Sequence, residues 1–316
     1  MKLRLLFLFA FLFQMASAHA QTDTSTVQLV SYWSKGDVYR FKVAKIQQQW
    51  RKGALVKNDS SQYTGKFEVL DSTETSYRIK WSYTTNVANT YEIPENLQER
   101  FSKYNLTEVI YTTSETGAFN GIENWQEIGK MMTGMFTDII EVTSAQGKIS
   151  NEELRKKMQP MINAYSSKAG IEQLVFKELY IIHNALGAEF ETERAVEYDE
   201  EIDNMFGGKP IKAKGKLYFT HVSPDQNRCV MIQELKLDPA DTKAMMSALF
   251  KKMGMSGKEY NAAMKTAKFN IVDLNRFDYN TELALPNFIE TKRESLILIQ
   301  EENVKRIDRM VIERVL

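Results

Sequence analysis

The sequence is poor in the residues on which disulfide bonds, metal sites and acid-base catalysis most often depend. Its 316 residues include one cysteine, three histidines and six prolines. A single cysteine, Cys229, cannot form an internal disulfide, so the chain is not a small disulfide-rich secreted domain. Cys229 lies in an apolar stretch, which predicts a buried, unreactive thiol. The stability of the fold therefore has to come from a hydrophobic core.

Net charge is absent as well, because 41 lysines and arginines balance 41 aspartates and glutamates. A protein that binds nucleic acid carries a basic stripe, since neutralising phosphates supplies much of the affinity. Here the basic residues are dispersed among acidic ones, so no nucleic-acid partner is expected. The sequence also has no metal-ligand spacing, nucleophile elbow or glycine-rich phosphate loop. It predicts no cofactor, no metal site and no catalytic residue.

The one long apolar run lies at the N terminus. Residues Leu3 to Phe13 are apolar apart from Arg4, Lys2 precedes them, and Ala18-His19-Ala20 fits a signal-peptidase site. The run is much shorter than the roughly 20 residues of a membrane-spanning helix. We therefore expect residues 1–20 to be a signal peptide cleaved near Ala20. The mature chain is then exported, periplasmic or secreted, and has no transmembrane segment.

The segment that follows the leader alternates between apolar and polar residues, which is the period of half-buried strands. The alternation runs from Asp37 to Trp50 and recurs in two later segments separated by turn residues. One face of this predicted antiparallel meander collects aromatic side chains: Tyr39, Phe41, Tyr63, Phe67, Tyr77, Trp81 and Tyr83.

Two blocks change to the three- and four-residue spacing of helices. The chain is predicted to be strand-rich over 28–120 and 189–237, helical over 122–187 and 239–268, and strands again over 269–316. Ser150 and Glu153 have the spacing of a capping box, and a helix is predicted from Ile171 to Leu186. This order predicts one α+β domain over 21–316, a large antiparallel sheet in an open half-barrel with helices gathered on one side.

Methionine is the residue most unevenly distributed along the chain, with twelve of the fifteen between Met131 and Met264. Methionine is flexible and polarizable, so a helix face rich in it either fills a core or lines a site for a ligand of irregular shape. Both interpretations remain open. If a cavity exists between helices and aromatic face, its predicted ligand-binding residues are Tyr39, Phe41, Phe67, Trp81, Tyr83, Met132, Met135 and Met245.

Two histidines and one acidic run are the remaining candidates for chemistry. His183 lies in an apolar segment, which favours a hydrogen-bonded core histidine, and His221 has no metal-site motif around it. The acidic run from Glu197 to Asp203 lacks the spacing of a calcium loop. We expect this run to be a solvated edge or loop.

Several motifs are similar to those of a group of exported Gram-negative bacterial proteins of unknown function. They are Trp33-Ser-Lys-Gly-Asp-Val-Tyr39, Ile46-Gln-Gln-Gln-Trp50, Tyr111-Thr-Thr-Ser-Glu-Thr-Gly-Ala-Phe119 and Asn124-Trp-Gln-Glu-Ile128. This resemblance covers mainly residues 30–130. The order of strands and helices also resembles, more remotely, the lipoprotein-carrier (Lol-type) fold of the periplasm, which implies an open half-barrel closed by helices.

Three hypotheses for function follow. The first is a non-enzymatic periplasmic binding or carrier protein whose partner is an apolar small molecule, such as a lipid or acyl chain. The second is a structural or protein-interaction module of the cell envelope that uses exposed sheet edges. The third is a hydrolase whose site combines scattered acids with His183 or His221.

Overall fold

The computed structural model describes residues 25–83, 95–104, 106–147 and 149–315, so the predicted signal peptide lies outside the described residues. Strands make up most of the framework. They are β1 Thr26–Gln28, β2 Val38–Arg51, β3 Ala54–Ser72, β4 Ser76–Tyr83, β5 Glu108–Ser114, β6 Phe119–Ile122, β7 Glu189–Glu191, β8 Val196–Ile202, β9 Ile211–Ser223, β10 Arg228–Leu237, β11 Lys268–Asn280, β12 Leu285–Ile299 and β13 Glu302–Val315.

Eleven of these strands form one antiparallel sheet in the order β6-β5-β4-β3-β2-β13-β12-β11-β10-β9-β8. The sheet is thus two meanders, β2 to β6 and β8 to β13, joined where β2 pairs with β13. Among the described residues β6 and β8 remain its edges, and β1 and β7 pair separately. The predicted α+β fold with an open, antiparallel half-barrel is confirmed.

The helices connect the strands. They are α1 Glu95–Phe101, α2 Trp125–Ser144, α3 Asn151–Ser166, α4 Lys168–Gly170, α5 Lys177–Ile182, α6 Pro239–Lys252 and α7 Lys258–Thr266. The hydroxyl of Ser150 accepts a hydrogen bond from the Glu153 amide at 3.2 Å, so it caps α3 as the sequence predicts.

The prediction of one continuous helix from Ile171 to Leu186 is wrong. A π-helical turn, Ile171–Val175, follows α4, and Phe176 then leaves the helical conformation (φ −115°, ψ 41°) before α5 begins. A π turn rotates the side chains that follow it relative to a regular helix. Here the buried Phe176 ring packs in the core, so tertiary packing outweighs the local helical pattern.

All the helices that reach the sheet cover the same face of it, which we call the inner face. Register shows this directly. Val43 is opposite Ile312 and Ile289 is opposite Phe277, and all four share a core with Leu179 of α5. Farther along the same strands, two smaller clusters pack under α6 and α7. One contains Leu235, Leu237 and Met245, and the other Met264, Phe269 and Ile297.

Candidate ligand-binding site

Polar side chains cross the inner face between the main core and the two smaller clusters. On β2 the inward series Tyr39, Phe41, Val43 continues as Lys45 and Gln47. Four residues lie opposite one another across neighbouring strands of the sheet: Gln47 on β2, Asp308 on β13, Arg293 on β12 and Asp273 on β11. We call Lys45, Gln47, Asp308, Thr291, Arg293 and Asp273 the polar belt. Polar groups so far from the sheet edges need partners.

Most charges of the belt are paired within it or beside it. Arg293 donates two hydrogen bonds to Asp273, each 2.6 Å long, and Arg306 donates two to Asp308, at 2.7 and 2.8 Å. Gln47 donates to Asp308 at 3.1 Å. Burial by itself would raise the pKa of Asp308, but the hydrogen bonds from Arg306 and Gln47 outweigh it and lower that pKa. Asp308 is therefore ionised, and both of its carboxylate oxygens accept hydrogen bonds.

A buried carboxylate ties α5 to the belt. Only 1% of the Glu178 side chain is exposed, and it accepts a hydrogen bond from the Tyr63 hydroxyl. Its other oxygen lies 3.0 Å from the ammonium group of Lys45. Because a buried charge is stable only when it is paired, these contacts hold α5 at a set position above the sheet.

A cavity of about 310 Å³ lies between the belt and the segment that carries the π turn. This volume is at the lower end of the roughly 300–1,000 Å³ of small-molecule sites. The cavity is lined by Lys45, Ile46, Gln47, Asp59, Ser60, Ser61, Leu174, Lys177, Thr291, Asp308, Arg309 and Met310. Leu174 and Lys177 come from the helical side, and the other residues come from β2, β3, β12 and β13. The site therefore combines apolar surface with charged groups.

Lys177 differs from the other charged residues of the cavity. In the part of the chain that the structure describes, no carboxylate lies within ion-pair distance of its ammonium group. Burial lowers the pKa of Lys177, and the positive charge of Arg293 lowers it further. The negative charges of Asp273 and Asp308 raise this pKa, but not enough to offset the decrease. Lys177 is thus a partly buried cation that has no carboxylate partner among the described residues.

The structure places most of the predicted ligand-binding residues in the main core, away from this cavity. Phe41, Phe67 and Trp81 are fully buried and Tyr83 is 7% exposed. Their rings pack on other rings. Phe41 stacks on Trp81 with 5.7 Å between ring centroids, and Tyr83 lies 5.1 Å from Tyr63. Tyr39 and Met132 are partly buried and pack against the same core.

Met135 and Met245 are not among the residues that pack in or against the main core. Met135 is partly buried on α2, and Met245 packs against the separate cluster of Ile211, Ala213, Leu235 and Leu237. The cavity on the polar belt contains none of the eight predicted residues. Ligand binding by those eight stays a prediction.

Sequence reasoning missed the cavity residues Lys45, Lys177, Thr291, Asp308 and Met310. One signal was available on β2, where the inward alternation changes from aromatic and aliphatic residues to Lys45 and Gln47 without losing its period. A change of polarity along one face indicates a site where the sheet meets something other than an apolar core. Lys177 gave no such signal, because its position depends on the π turn.

The two histidines, His183 and His221, were the remaining candidates for a catalytic or metal-binding role. His183 is buried, with one ring nitrogen 3.0 Å from the Tyr111 hydroxyl and the other 2.8 Å from the Gly117 carbonyl oxygen. Burial lowers its pKa to about 4, so it is a neutral core histidine, as predicted. His221 is exposed on β9. Among the described residues neither histidine has a carboxylate beside it, and no three acidic, histidine or cysteine side chains converge as metal ligands.

Two further sequence predictions are confirmed. Cys229 is fully buried, and burial raises the pKa of its thiol to about 12. The acidic run forms β8, an edge strand of the sheet on which Glu197, Asp199 and Glu201 are exposed. Charged residues on an edge strand discourage pairing with other chains.

No protein-family model matches the chain, and no curated protein matches it. Among solved structures, one described as "lipid-protein interactions in lipovitellin" is similar at 10% identity and a TM-score of 0.44, over 90% of this chain and 25% of that one. This chain therefore spans about a quarter of the lipovitellin chain.

Two bacterial structures are also similar. The attachment invasion locus protein of Yersinia pestis matches at 6% identity and a TM-score of 0.15, over 89% of this chain and 100% of that one. An outer membrane channel from Pseudomonas putida F1 matches at 7% identity and a TM-score of 0.16, over 90% and 98%. Scores this low carry no argument about function. Within the described residues, no helix is both long and apolar enough to cross a bilayer.

Proposed function

We propose that the protein is an exported, non-enzymatic binding or carrier protein, which holds a mainly apolar ligand such as a lipid or acyl chain. The ligand occupies the cavity between the polar belt and the π-turn segment. Export rests on the predicted signal peptide, and periplasmic location follows from the resemblance of residues 30–130 to exported Gram-negative proteins.

The observation that carries the proposal is the cavity itself. The sheet is open and curved, its helices cover one face, and at the belt the two layers leave about 310 Å³ between them. Leu174 and Met310 supply apolar surface on opposite sides of this space. A binding protein needs such a preformed concave site with a few polar groups to orient the ligand. The hydrolase hypothesis requires His183 or His221 in the site, and neither histidine lines the cavity.

Binding is tested with the mature chain secreted to the periplasm and purified without detergent. Native mass spectrometry should show a co-purified small molecule, and an uncharged fluorescent probe such as Nile red should bind with one-to-one stoichiometry to the folded protein. Urea unfolding should abolish the probe signal. A protein that carries no ligand and takes up no probe is not a carrier of this kind.

A pair of matched variants locates the binding. Ser61 lines the cavity, whereas its neighbour Gln62 is exposed and does not line it. Ser61→Phe fills part of the cavity and should weaken probe binding, while Gln62→Phe should leave it unchanged. Equal binding by both variants would place the ligand elsewhere on the molecule.

A further inference from the structure

The charges around the cavity, taken together, favour an anion. Lys45 is paired with Glu178 at 3.0 Å, Asp59 with Lys57 at 2.5 Å, Asp273 with Arg293, Asp308 with Arg306, and Arg309 with Glu290. Each of these pairs cancels its own charge. Lys177 has no such partner in the described part of the chain, so one positive charge remains.

A positive charge on the Lys177 ammonium group is unfavourable unless a negatively charged group compensates for it. Transfer of an ammonium group from water into a partly desolvated site costs free energy, and the usual outcome is pairing or loss of the proton. The groups that face Lys177 are Lys45 of β2, Asp273 of β11, Arg293 of β12 and Asp308 of β13. Both acids among them are already engaged with arginines. A negatively charged ligand atom would satisfy the lysine without breaking those pairs.

We propose that the ligand is an anionic amphiphile with a carboxylate head group, a fatty acid, and that Lys177 is the residue that binds the head group. The inference rests on the proposed function and specifies its ligand class. The acyl chain lies along Leu174 and Met310, which line the same space. The small volume of the cavity favours a short chain or the first part of a longer one. Gln47, Ser61 and Thr291 supply uncharged hydrogen-bonding side chains on the sheet side of the cavity wall.

Three probes separate the contributions of head group and chain. Octanoate has both, 1-octanol has the chain without the charge, and acetate has the charge without the chain. Isothermal titration calorimetry on the intact mature protein should show octanoate binding at least about tenfold more tightly than octanol, because charge-assisted hydrogen bonds are the stronger ones. Acetate should not bind measurably. Equal affinity for octanoate and octanol would overturn the role of Lys177.

Substitutions of Lys177 then test whether this residue binds the head group. Lys177→Met should reduce octanoate affinity about tenfold or more and leave octanol affinity unchanged, because it removes the charge and keeps an apolar stem. Lys177→Arg should restore most of the octanoate affinity. Lys156→Met is the matched control, since Lys156 is an exposed residue of α3 that does not line the cavity. If Lys177→Met binds octanoate as well as the unaltered protein does, the proposal is wrong.

Two further measurements separate binding from a structural role. Lys177→Met should unfold at the same or a higher temperature than the unaltered protein, because it removes a partly buried charge that has no carboxylate partner among the described residues. Octanoate affinity of the unaltered protein should fall as the pH rises from about 7 towards 10, as Lys177 loses its proton, and Lys177→Met should show no such fall. If neither octanoate nor octanol binds to the unaltered protein, the carrier function itself fails. If both bind with equal affinity, only the head-group assignment fails.

Discussion

Gly65 of β3 provides the sharpest test of how the core is packed. A Cβ atom added at Gly65 would lie 2.0 Å from Cζ2 of Trp81 and 2.4 Å from its Cε2. Ordinary contacts of a Cβ atom are 3.4–4 Å long, so the indole would have to move by more than an ångström. It has no free space to do so, because Trp81 is fully buried and stacks on Phe41. Overpacking of this kind costs about 1–3 kcal/mol.

We therefore expect Gly65→Ala to lower the free energy of unfolding by about 2–3 kcal/mol, at the upper end of the range for overpacked cores. The assay is equilibrium urea unfolding followed by tryptophan fluorescence and circular dichroism. Backbone strain does not contribute, since Gly65 has no positive φ angle. Gly215 is the comparison, because it lies under the ring of Tyr198, which is only partly buried on the edge strand β8. Gly215→Ala should cost less.

A double-mutant cycle decides whether the steric argument is right. Trp81→Phe removes the outer ring atoms that the new methyl group would meet. In that background Gly65→Ala should cost less than about 0.5 kcal/mol, or even stabilise the protein, because alanine suits a strand better than glycine. A penalty of the same size in both backgrounds would refute the reasoning.

Three other predictions concern pH, reactivity and capping. The pKa of buried His183 is about 4, while that of an unfolded histidine is near 6.5, so the unfolded chain binds more protons between these two pH values. The free energy of unfolding should therefore fall by about 3 kcal/mol as the pH drops through this window. In His183→Gln the free energy of unfolding should depend less on pH, by that amount. Cys229 should not react with a disulfide reagent at about pH 8 while folded, but should react fully in denaturant, and rapid native labelling would contradict its burial. Ser150→Ala should cost about 1 kcal/mol in a thermal melt, because it removes the cap of α3; no change in the melt would show that the cap contributes nothing.

Much of the framework was readable from local patterns. Strand β10, Arg228–Leu237, ends where the predicted strand-rich region 189–237 ends, and the turn before it contains Asn227 in the left-handed conformation (φ 48°), a role that asparagine fills readily. Asp238 caps α6, with proline in the first turn, where its missing amide proton is not needed. Each of these features depends on residues a few positions apart. Sequence reasoning therefore reaches them without knowing the rest of the fold.

The candidate site was not readable in this way. Its residues come from β2, β3, β12, β13 and the π-turn segment, and the central contact pairs Gln47 with Asp308, 261 positions away. The predicted aromatic residues share one face and, with Met132, pack in or against the main core, whereas Met245 packs against a separate cluster. The cavity lies one step farther along the same strands, where the inward residues become polar.

Sequence alone determined which residues alternate, where turns and helix caps occur, and therefore that an antiparallel sheet with helices would form. Periodicity states which face of a strand a residue occupies, but it does not state which strand lies beside it. Only the tertiary structure decided that β2 pairs with β13 and that the helix after Gly170 breaks at Phe176. It also decided that Lys177 lies over a polar belt, with no carboxylate partner in the part of the chain that the structure describes. These are consequences of long-range packing, where the burial of distant side chains outweighs local preference.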